Sequence, residues 1–228
     1  MEEKIIKDAP YEVYFIADMH IKHVNILRHQ KNRIKAMRLK DDNDIEAHDK
    51  FVVDMWFNTV KRNDHVYILG DFILSNQKTS LYVLNKLKSI GCKLHLIVGN
   101  HDKSTQKLTT MFETIDLIKV VDFKKNVFTF LDEDFPVVMC HYPMVTWPRK
   151  SVGAIHLFGH IHANSPWINE GGITGYDLAL NVGMDTPLSN YGLINLRTIY
   201  KWYKEKIGSK SPKEYIDWVS QIEPKFVR

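Results

Sequence analysis

Five short apolar segments in this sequence each end in a polar residue of the kind that binds metal ions. They are rich in β-branched and aromatic residues, which predicts buried β-strands. The segments span residues 12–17, 65–69, 93–98, 136–140 and 154–158. The polar residues that follow them are Asp18 with His20, Asp71, Asn100 with His101, His141, and His160 with His162. Because the carboxyl ends of strands in an open α/β sheet converge on one edge, we expect these side chains to lie close together.

Helices are predicted between the first strands, and further strands in the second half of the chain. The helical segments span residues 25–39, 45–61 and 79–89, and the additional strands span 117–122, 126–131 and 178–182. Near the C-terminus, Asn195 is expected to cap one helix and Pro212 to open another. No repeat or linker interrupts this pattern, so residues 1–228 are predicted to form one α/β domain with two sheets packed face to face and helices outside.

Composition narrows the class of protein. Hydrophobic residues make up 44% and charged residues 25% of the 228 residues, as in an ordinary globular protein. No apolar run approaches the roughly 20 residues that span a bilayer, and the acidic start of the chain is unlike a signal peptide, so we expect a cytoplasmic protein without a membrane partner. Cys92 and Cys140 fit no disulfide framework or metal-binding pair. A net charge of +4 neither indicates nor excludes nucleic-acid binding, and the oligomeric state stays open.

The polar residues at the strand ends have the composition of a site for two metal ions. Two aspartates, one asparagine and four histidines make seven oxygen and nitrogen ligands, which is too many for one tetrahedral zinc ion. They suit two divalent cations with one bridging carboxylate, manganese first, with iron, zinc or nickel as alternatives. Alternate positions on an extended backbone face the same way, so Asp18 with His20, and His160 with His162, are each expected to reach the same metal centre. Glycines precede three of the ligand groups, where a missing side chain permits close approach: Gly70, Gly99 and Gly159.

The charge of such a site predicts its substrate class. Two divalent cations bring four positive charges, of which Asp18 and Asp71 neutralise two, so the site attracts an anion. A hydroxide that bridges the cations can attack a phosphate ester, and His101, beside ligand Asn100 but itself spare, is the candidate general acid for the leaving oxygen. We therefore predict a metal-dependent phosphoric ester hydrolase.

The ordered set of motifs, Asp-x-His, Gly-Asp, Gly-Asn-His-Asp, His and Gly-His-x-His, resembles the calcineurin-like metallophosphoesterase superfamily. The resemblance runs over residues 15–185 and is greatest to the small prokaryotic and phage phosphoesterases, in the extended first motif from Asp18 to Asn25 and in His141-Tyr142-Pro143. It implies a four-layer α-β-β-α sandwich with two mixed sheets and two metals at one edge.

The resemblance also implies the roles of individual residues. One metal would be bound by Asp18, His20, Asp71 and His162. The other would be bound by Asp71, Asn100, His141 and His160, so that Asp71 bridges, with His101 as the catalytic acid. The aspartate and arginine that follow Gly-Asp in the protein phosphatases are missing after Asp71, which argues against a phosphoprotein phosphatase. Asp102 is left as a candidate for orienting His101.

Several residues near the motifs have two interpretations. His23 and Asn25 contact the phosphate or begin a helix, and Arg149 binds phosphate oxygens or lies in a solvated loop. Aromatic residues near the motifs stack on a nucleobase or pack in the core: Tyr142, Trp147 and Trp167. The favoured substrate is a small, nucleotide-like phosphate monoester or diester. The alternatives are a single-strand nuclease of the same superfamily and a binding module that captures a phosphorylated ligand without turnover.

Overall fold

The computed structural model describes residues 9–163, 170–172 and 177–222. Within these residues the chain forms nine strands: β1 (Val13–Ile16), β2 (His65–Ile68), β3 (Lys93–Ile97), β4 (Thr114–Asp116), β5 (Ile118–Phe123), β6 (Phe135–Cys140), β7 (Ile155–Phe158), β8 (Ala179–Asn181) and β9 (Ile194–Asn195). The α-helices are α1 (Ile26–His29), α2 (Asn32–Ala36), α3 (Ile45–Thr59), α4 (Gln77–Lys88), α5 (Leu196–Ile207) and α6 (Pro212–Ile222). In this described part of the chain, no helix has the length and apolar character that crossing a membrane requires.

The strands form two mixed sheets. The five-stranded sheet has the order β4-β3-β2-β1-β9, in which only β9 runs antiparallel to its neighbour. The four-stranded sheet has the order β5-β6-β7-β8, in which only β5 runs antiparallel to its neighbour. Strands β1 to β3 therefore end at one edge of the first sheet, and β6 to β8 at one edge of the second, as the strand-end motifs require.

The two sheets pack face to face because their strands alternate apolar side chains between two faces. In β1, Val13 and Phe15 belong to the cluster between the sheets, whereas Ile16 belongs to the cluster on the outer face. From the second sheet, Val137 and Met139 of β6 join the inner cluster. This alternation gives the five-stranded sheet two buried faces, which is why its strands are almost continuously apolar.

Helices flank the sheets. Val52 and Trp56 of α3 and Leu84 and Leu87 of α4 cover the outer face of the five-stranded sheet. Both helices present these residues at spacings of three or four, the period of one helical face. Helices α5 and α6 contribute further members of the inner cluster: Leu196, Ile199, Tyr203, Tyr215 and Val219. The predicted fold class, α/β with two mixed sheets and flanking helices, is confirmed.

The two sheets are joined directly at the edge where the ligand residues lie. The backbone amide of Ala17 donates to the carbonyl of Val182 at 3.0 Å, and the amide of Met184 donates to the carbonyl of Ala17 at 3.0 Å. The segment after β8 thus continues beside the end of β1. This connection brings Asp18, after β1, against His160, after β7, although 142 residues separate them.

Two predictions of secondary structure were wrong in detail. Residues 126–131 form a turn instead of a strand, because their apolar side chains Phe128 and Leu131 enter the inner cluster without joining a sheet. Residues 25–39 form two short helices instead of one, interrupted at Gln30, whose φ of −121° and ψ of 68° are not helical. The strands β4 and β9 were not predicted, since segments of three and two residues carry no periodic signal.

Candidate metal centre

Most of the ligand residues have backbone conformations that residues other than glycine rarely adopt. Positive φ angles of 51° to 71° occur at five of the seven predicted ligands: Asp18, His20, Asp71, His160 and His162. Such left-handed conformations cost on the order of 1–3 kcal/mol each outside glycine and cluster at functional sites. Hydrogen bonds between the loops stabilise them, among them the amide of Asp18 to the carbonyl of Gly70 at 3.1 Å and the amide of His20 to the carbonyl of Asp71 at 2.9 Å.

Asp18, His20 and His162 form the first ligand group, with ligand atoms all within 4.8 Å of one another. Nε2 of His20 lies 4.0 Å from Oδ1 of Asp18, and both ring nitrogens of this buried histidine lack a hydrogen-bond partner. Burial lowers the pKa of His20 and raises that of Asp18 to about 6. A neutral imidazole with two unpartnered nitrogens beside a buried carboxyl fits a divalent cation.

Asp71, His141 and His160 form the second ligand group, also within 4.8 Å. Nδ1 of His141 donates to the carbonyl of Leu69 at 2.7 Å, which leaves Nε2 as the ligand atom. Nε2 lies 3.5 Å from Oδ1 of Asp71 and 3.2 Å from Oδ1 of Asn100, so three acceptors face one point. Although burial lowers the pKa of His141, the hydrogen bond and charge of Asp71 raise it overall. This point therefore favours a positive charge, which fits a second cation.

Asp71 lies between the two ligand groups. Its Oδ2 is 3.7 Å from Nε2 of His20 in the first group, and its Oδ1 is 3.5 Å from Nε2 of His141 in the second. Burial raises the pKa of Asp71, but the hydrogen bond and charge of His141 lower it overall, so this carboxylate is ionised. One carboxylate facing both groups is the geometry that a bridging ligand needs.

His160 and His162 both reach the centre but lie in different ligand groups. On extended backbone, residues two apart face the same side. Their φ angles of 71° and 51° break this rule, and the imidazoles diverge, one toward Asp71 and the other toward Asp18. The division into groups matches what the family resemblance implies.

The predicted glycines allow the loops to touch. A Cβ at Gly99 would lie 2.5 Å from Oδ1 of Asp71, and a Cβ at Gly159 would lie 2.7 Å from Oδ2 of Asp18. A Cβ at Gly70 would collide with the ring of His141, and the φ of +82° at that position also favours glycine. Side chains at these positions would push the carboxylates and the imidazole out of the centre.

A buried arginine and aspartate support the first ligand group, and sequence analysis did not identify either. Nδ1 of His162 donates to Oδ2 of Asp185 at 2.6 Å, which leaves Nε2 of His162 for a cation. Arg33, which is fully buried, donates to both carboxylate oxygens of Asp185 at 2.7 and 2.9 Å and to the carbonyls of Asp18 at 2.6 Å and Met19 at 3.1 Å. Burial raises the pKa of Asp185, but Arg33 and His162 hold it at about 2.

A sequence signal for Asp185 existed. The predicted strand at 178–182 is a sixth apolar segment, and Asp185 follows its end much as the ligand residues follow theirs. Arg33 gave no such signal, because it is one of several cations in a basic stretch and only its burial distinguishes it.

His101 lies at the open side of the centre. Its backbone amide donates to Oδ1 of Asp71 at 2.9 Å, its Nε2 is 3.9 Å from Oδ2 of Asp71, and its side chain is 37% exposed. Asp102 does not orient it: the buried carboxylate of Asp102 accepts from the amides of Asp71 at 2.8 Å, Phe72 at 3.0 Å and Gly99 at 2.8 Å. Asp102 thus ties the second and third motif loops together.

The structure brings some candidate substrate contacts to the centre. The ring of His23 lies 5.2 Å from that of His20 and 5.6 Å from that of His101, and the exposed Asn25 follows, its amide donating to Nδ1 of His23 at 3.2 Å. The ring of Tyr142, 43% exposed, lies 4.7 Å from that of His160.

Two other candidates do not join the centre. Arg149 pairs with Asp122, which lies opposite Pro136 at the start of β6, whereas the ligand His141 follows the end of that strand. Arg149 is therefore removed from the candidate substrate contacts. Trp147 is buried and donates through Nε1 to the carbonyl of Ala154 at 2.8 Å, so it belongs to the core. Trp167 lies outside the described residues.

Comparison with known proteins agrees with this geometry. The family model Metallophos, calcineurin-like phosphoesterase, matches residues 11–223. An uncharacterized protein of Methanocaldococcus jannaschii is 28% identical over 194 residues, which cover 83% of this chain and 90% of that protein. The Gene 66 protein of Mycobacterium phage L5 is 26% identical over 170 residues, covering 66% and 77%. A solved structure of a protein of unknown function from Aquifex aeolicus, 23% identical, gives a TM-score of 0.57 and covers 84% of this chain and 98% of that one, which supports the fold.

Proposed function

The chain belongs to the calcineurin-like phosphoesterase family, and we propose that it hydrolyses phosphate esters with the help of two divalent cations. The observation that carries the proposal is Asp71, whose two oxygens face His20 on one side and His141 on the other. A family match alone would be compatible with a protein that has lost its metals. Here every ligand type is present, and the buried nitrogens of His20 lack any other partner.

Each ligand group would bind one cation. Asp18, His20 and His162 would bind the first, Asn100, His141 and His160 the second, and Asp71 both. When bound, two divalent cations supply an activated water nucleophile and stabilise charge on the phosphoryl oxygens, and manganese is the cation we expect first, before iron, zinc or nickel.

His101 would donate a proton to the leaving oxygen. Its amide is fixed to Asp71, while its imidazole reaches the open side of the centre. A general acid must meet both substrate and solvent, because it is reprotonated in every turnover. Among the residues the structure describes, two histidine rings lie within 6 Å of the His101 ring: the ligand His20 and His23.

The groups around the opening support a nucleotide-like substrate. His23, whose ring lies beside that of His20, and the nearby Asn25 would donate hydrogen bonds to a non-bridging phosphate oxygen, and the exposed ring of Tyr142 would offer a stacking surface for a base. A single-strand nuclease is the second candidate function, and the concentration of lysines and arginines in residues 22–40, next to the centre, favours it.

The test is an assay of metal-stripped protein on bis-p-nitrophenyl phosphate and p-nitrophenyl phosphate, with manganese restored. We expect turnover that depends on manganese and is abolished in Asp71→Ala, and the better substrate identifies a diesterase or a monoesterase. Asp54→Ala, an exposed aspartate on α3, is the matched control and should keep full activity. Two bound cations without turnover of either dye or of a dinucleotide would overturn hydrolysis and favour a binding module.

A further inference from the structure

The positive charge of the chain is concentrated beside the candidate metal centre. Residues 22–40, here called the basic segment, contain seven lysines and arginines and no acidic residue. The whole chain has 31 basic and 27 acidic residues, so the chain outside the basic segment carries a net negative charge. A mildly basic total therefore conceals a strongly basic region of 19 residues.

Most of this charge is available to a ligand. Arg33 is buried, and the exposed cations of the basic segment are Lys22, Arg28, Lys31, Lys35, Arg38 and Lys40. Lys22 pairs with Asp49 and Arg28 with Asp42. Among the described residues, no carboxylate forms an ion pair with the side chains of the other four, although Asp44 accepts from the backbone amide of Lys40 at 3.0 Å. Those four side-chain charges are therefore open to a partner.

The basic segment is fixed to the metal centre. It begins two residues after the ligand His20, and Arg33 of α2 donates to the carbonyls of Asp18 and Met19. The exposed His29 lies next to His23, with ring centroids 6.2 Å apart, and His23 in turn lies beside His101. The surface of α1 is thus connected to the proposed general acid through His29 and His23.

We propose that the basic segment binds the sugar–phosphate backbone of a single-stranded nucleic acid and directs it to the metal centre. This inference rests on the proposed function, because it makes the phosphate ester one link of a polynucleotide. Proteins that bind single strands combine a basic track for the backbone with exposed rings on which bases stack. The track here is the basic segment, and the ring is the exposed Tyr142, on which an unpaired base can stack.

A membrane surface is the competing partner for a basic helical region. Helices that lie on membranes need a continuous apolar face beside the cations. In the basic segment the apolar side chains are mostly buried or half-buried, and Val24, 67% exposed, is the one large hydrophobic residue exposed there. The composition of this surface therefore favours a nucleic acid.

The test compares two triple variants of the full-length, manganese-loaded protein. The first variant, Lys31→Glu with Lys35→Glu and Arg38→Glu, reverses the charge at three exposed positions of the basic segment. The second variant, Lys61→Glu with Lys93→Glu and Lys125→Glu, changes the net charge by the same amount, at exposed lysines near the ends of the strands opposite the metal centre. Binding is measured by fluorescence anisotropy with a phosphorothioate-linked 12-mer of dT, over a series of salt concentrations. A 12-mer of U and vesicles containing phosphatidylserine are measured in parallel.

We expect the first variant to weaken oligonucleotide binding at least tenfold. Its slope of log affinity against log salt should fall by about 2, since each single-strand phosphate contact contributes about 0.7. It should also lower kcat/KM on dT oligomers of 12 nucleotides but not on a dinucleotide. The second variant should bind nearly as the unmodified protein does. The DNA and RNA 12-mers decide which polynucleotide is preferred.

The outcomes separate this inference from the proposed function. Three results would overturn nucleic-acid binding by the basic segment and leave hydrolysis intact. They are turnover of bis-p-nitrophenyl phosphate without oligonucleotide binding, equal losses of oligonucleotide binding in both variants, and binding to vesicles alone. Oligonucleotide binding that the first variant alone loses, with no turnover of any ester, would support the surface and overturn hydrolysis. The first variant should hydrolyse the dye normally, because none of its three residues belongs to the centre.

Discussion

The two ligand groups differ in how the protein surrounds them. In the first, Asp18 and His20 are buried, His162 donates to Asp185, and Arg33 donates to the same carboxylate. In the second, Asp71 and His141 are buried, but Asn100 and His160 are exposed. From this difference in burial we expect the first group to bind its cation more tightly and the second group to be more accessible to substrate and solvent.

The largest expected effect is that of Asp71→Asn, which removes the charge that both groups share. We expect cation binding to weaken at both groups and turnover to fall by roughly 10³-fold or more, since the metals supply several kcal/mol and each 1.36 kcal/mol is tenfold. Metal content by mass spectrometry and kcat measure the two effects. Retention of both cations at the original affinity would contradict a shared ligand.

His101→Ala tests the open side of the centre without touching a ligand. We expect kcat to fall by about 10² to 10⁴-fold with both cations retained, the usual contribution of a general acid. The loss should be much smaller on p-nitrophenyl esters than on a dinucleotide, because p-nitrophenolate departs without a proton. Equal losses on the two substrates would assign His101 to binding instead of proton transfer.

Asp185→Asn and Arg33→Lys test the support behind the first group. Outer partners of metal-bound histidines typically contribute 10- to 100-fold in metal affinity, so one of two cations should bind more weakly by about that factor. Lysine cannot reproduce the paired hydrogen bonds of Arg33 to Asp185. Calorimetric titration with manganese resolves the two affinities, and Arg28→Lys, at an exposed arginine of α1, is the control. Equal weakening of cation binding at both ligand groups would contradict a role of Asp185 and Arg33 that is specific to the first group.

The smallest effect concerns the loop after His141, which His156 supports. The amide of Met144 donates to Nε2 of His156 at 3.2 Å, and burial lowers the pKa of His156 to about 4. Because the unfolded chain binds this proton more readily, stability is complete above about pH 6.5 and declines as pH falls toward 4, by up to roughly 3 kcal/mol. Urea unfolding of metal-free protein at several pH values measures the decline. In His156→Gln the decline over this range should be shallower, and an unchanged decline would refute the assignment.

Much of the fold and the centre could be predicted from sequence because both depend on local patterns. Apolar runs of five or six residues predicted the principal strands, and a ligand-type residue after each run predicted the edge of the sheets where the centre lies. Residues 126–131 were mistaken for a strand because an apolar turn packed on the core has the same composition as a short strand.

Sequence alone determined which chemical groups this protein brings to one edge: the carboxylates, imidazoles and the amide, and the glycines that let them approach. The residue pattern did not determine how these groups divide between two cations; the family resemblance implied the division, and the tertiary structure gives its physical basis. It separated His160 from His162 through left-handed backbone, buried Arg33 behind Asp185, and placed Arg149 at the far end of the second sheet. The physical reason is that shared binding of one cation depends on distances of a few ångströms between residues as far apart in sequence as Asp18 and His162. Packing of the two sheets sets those distances, and no local pattern encodes them.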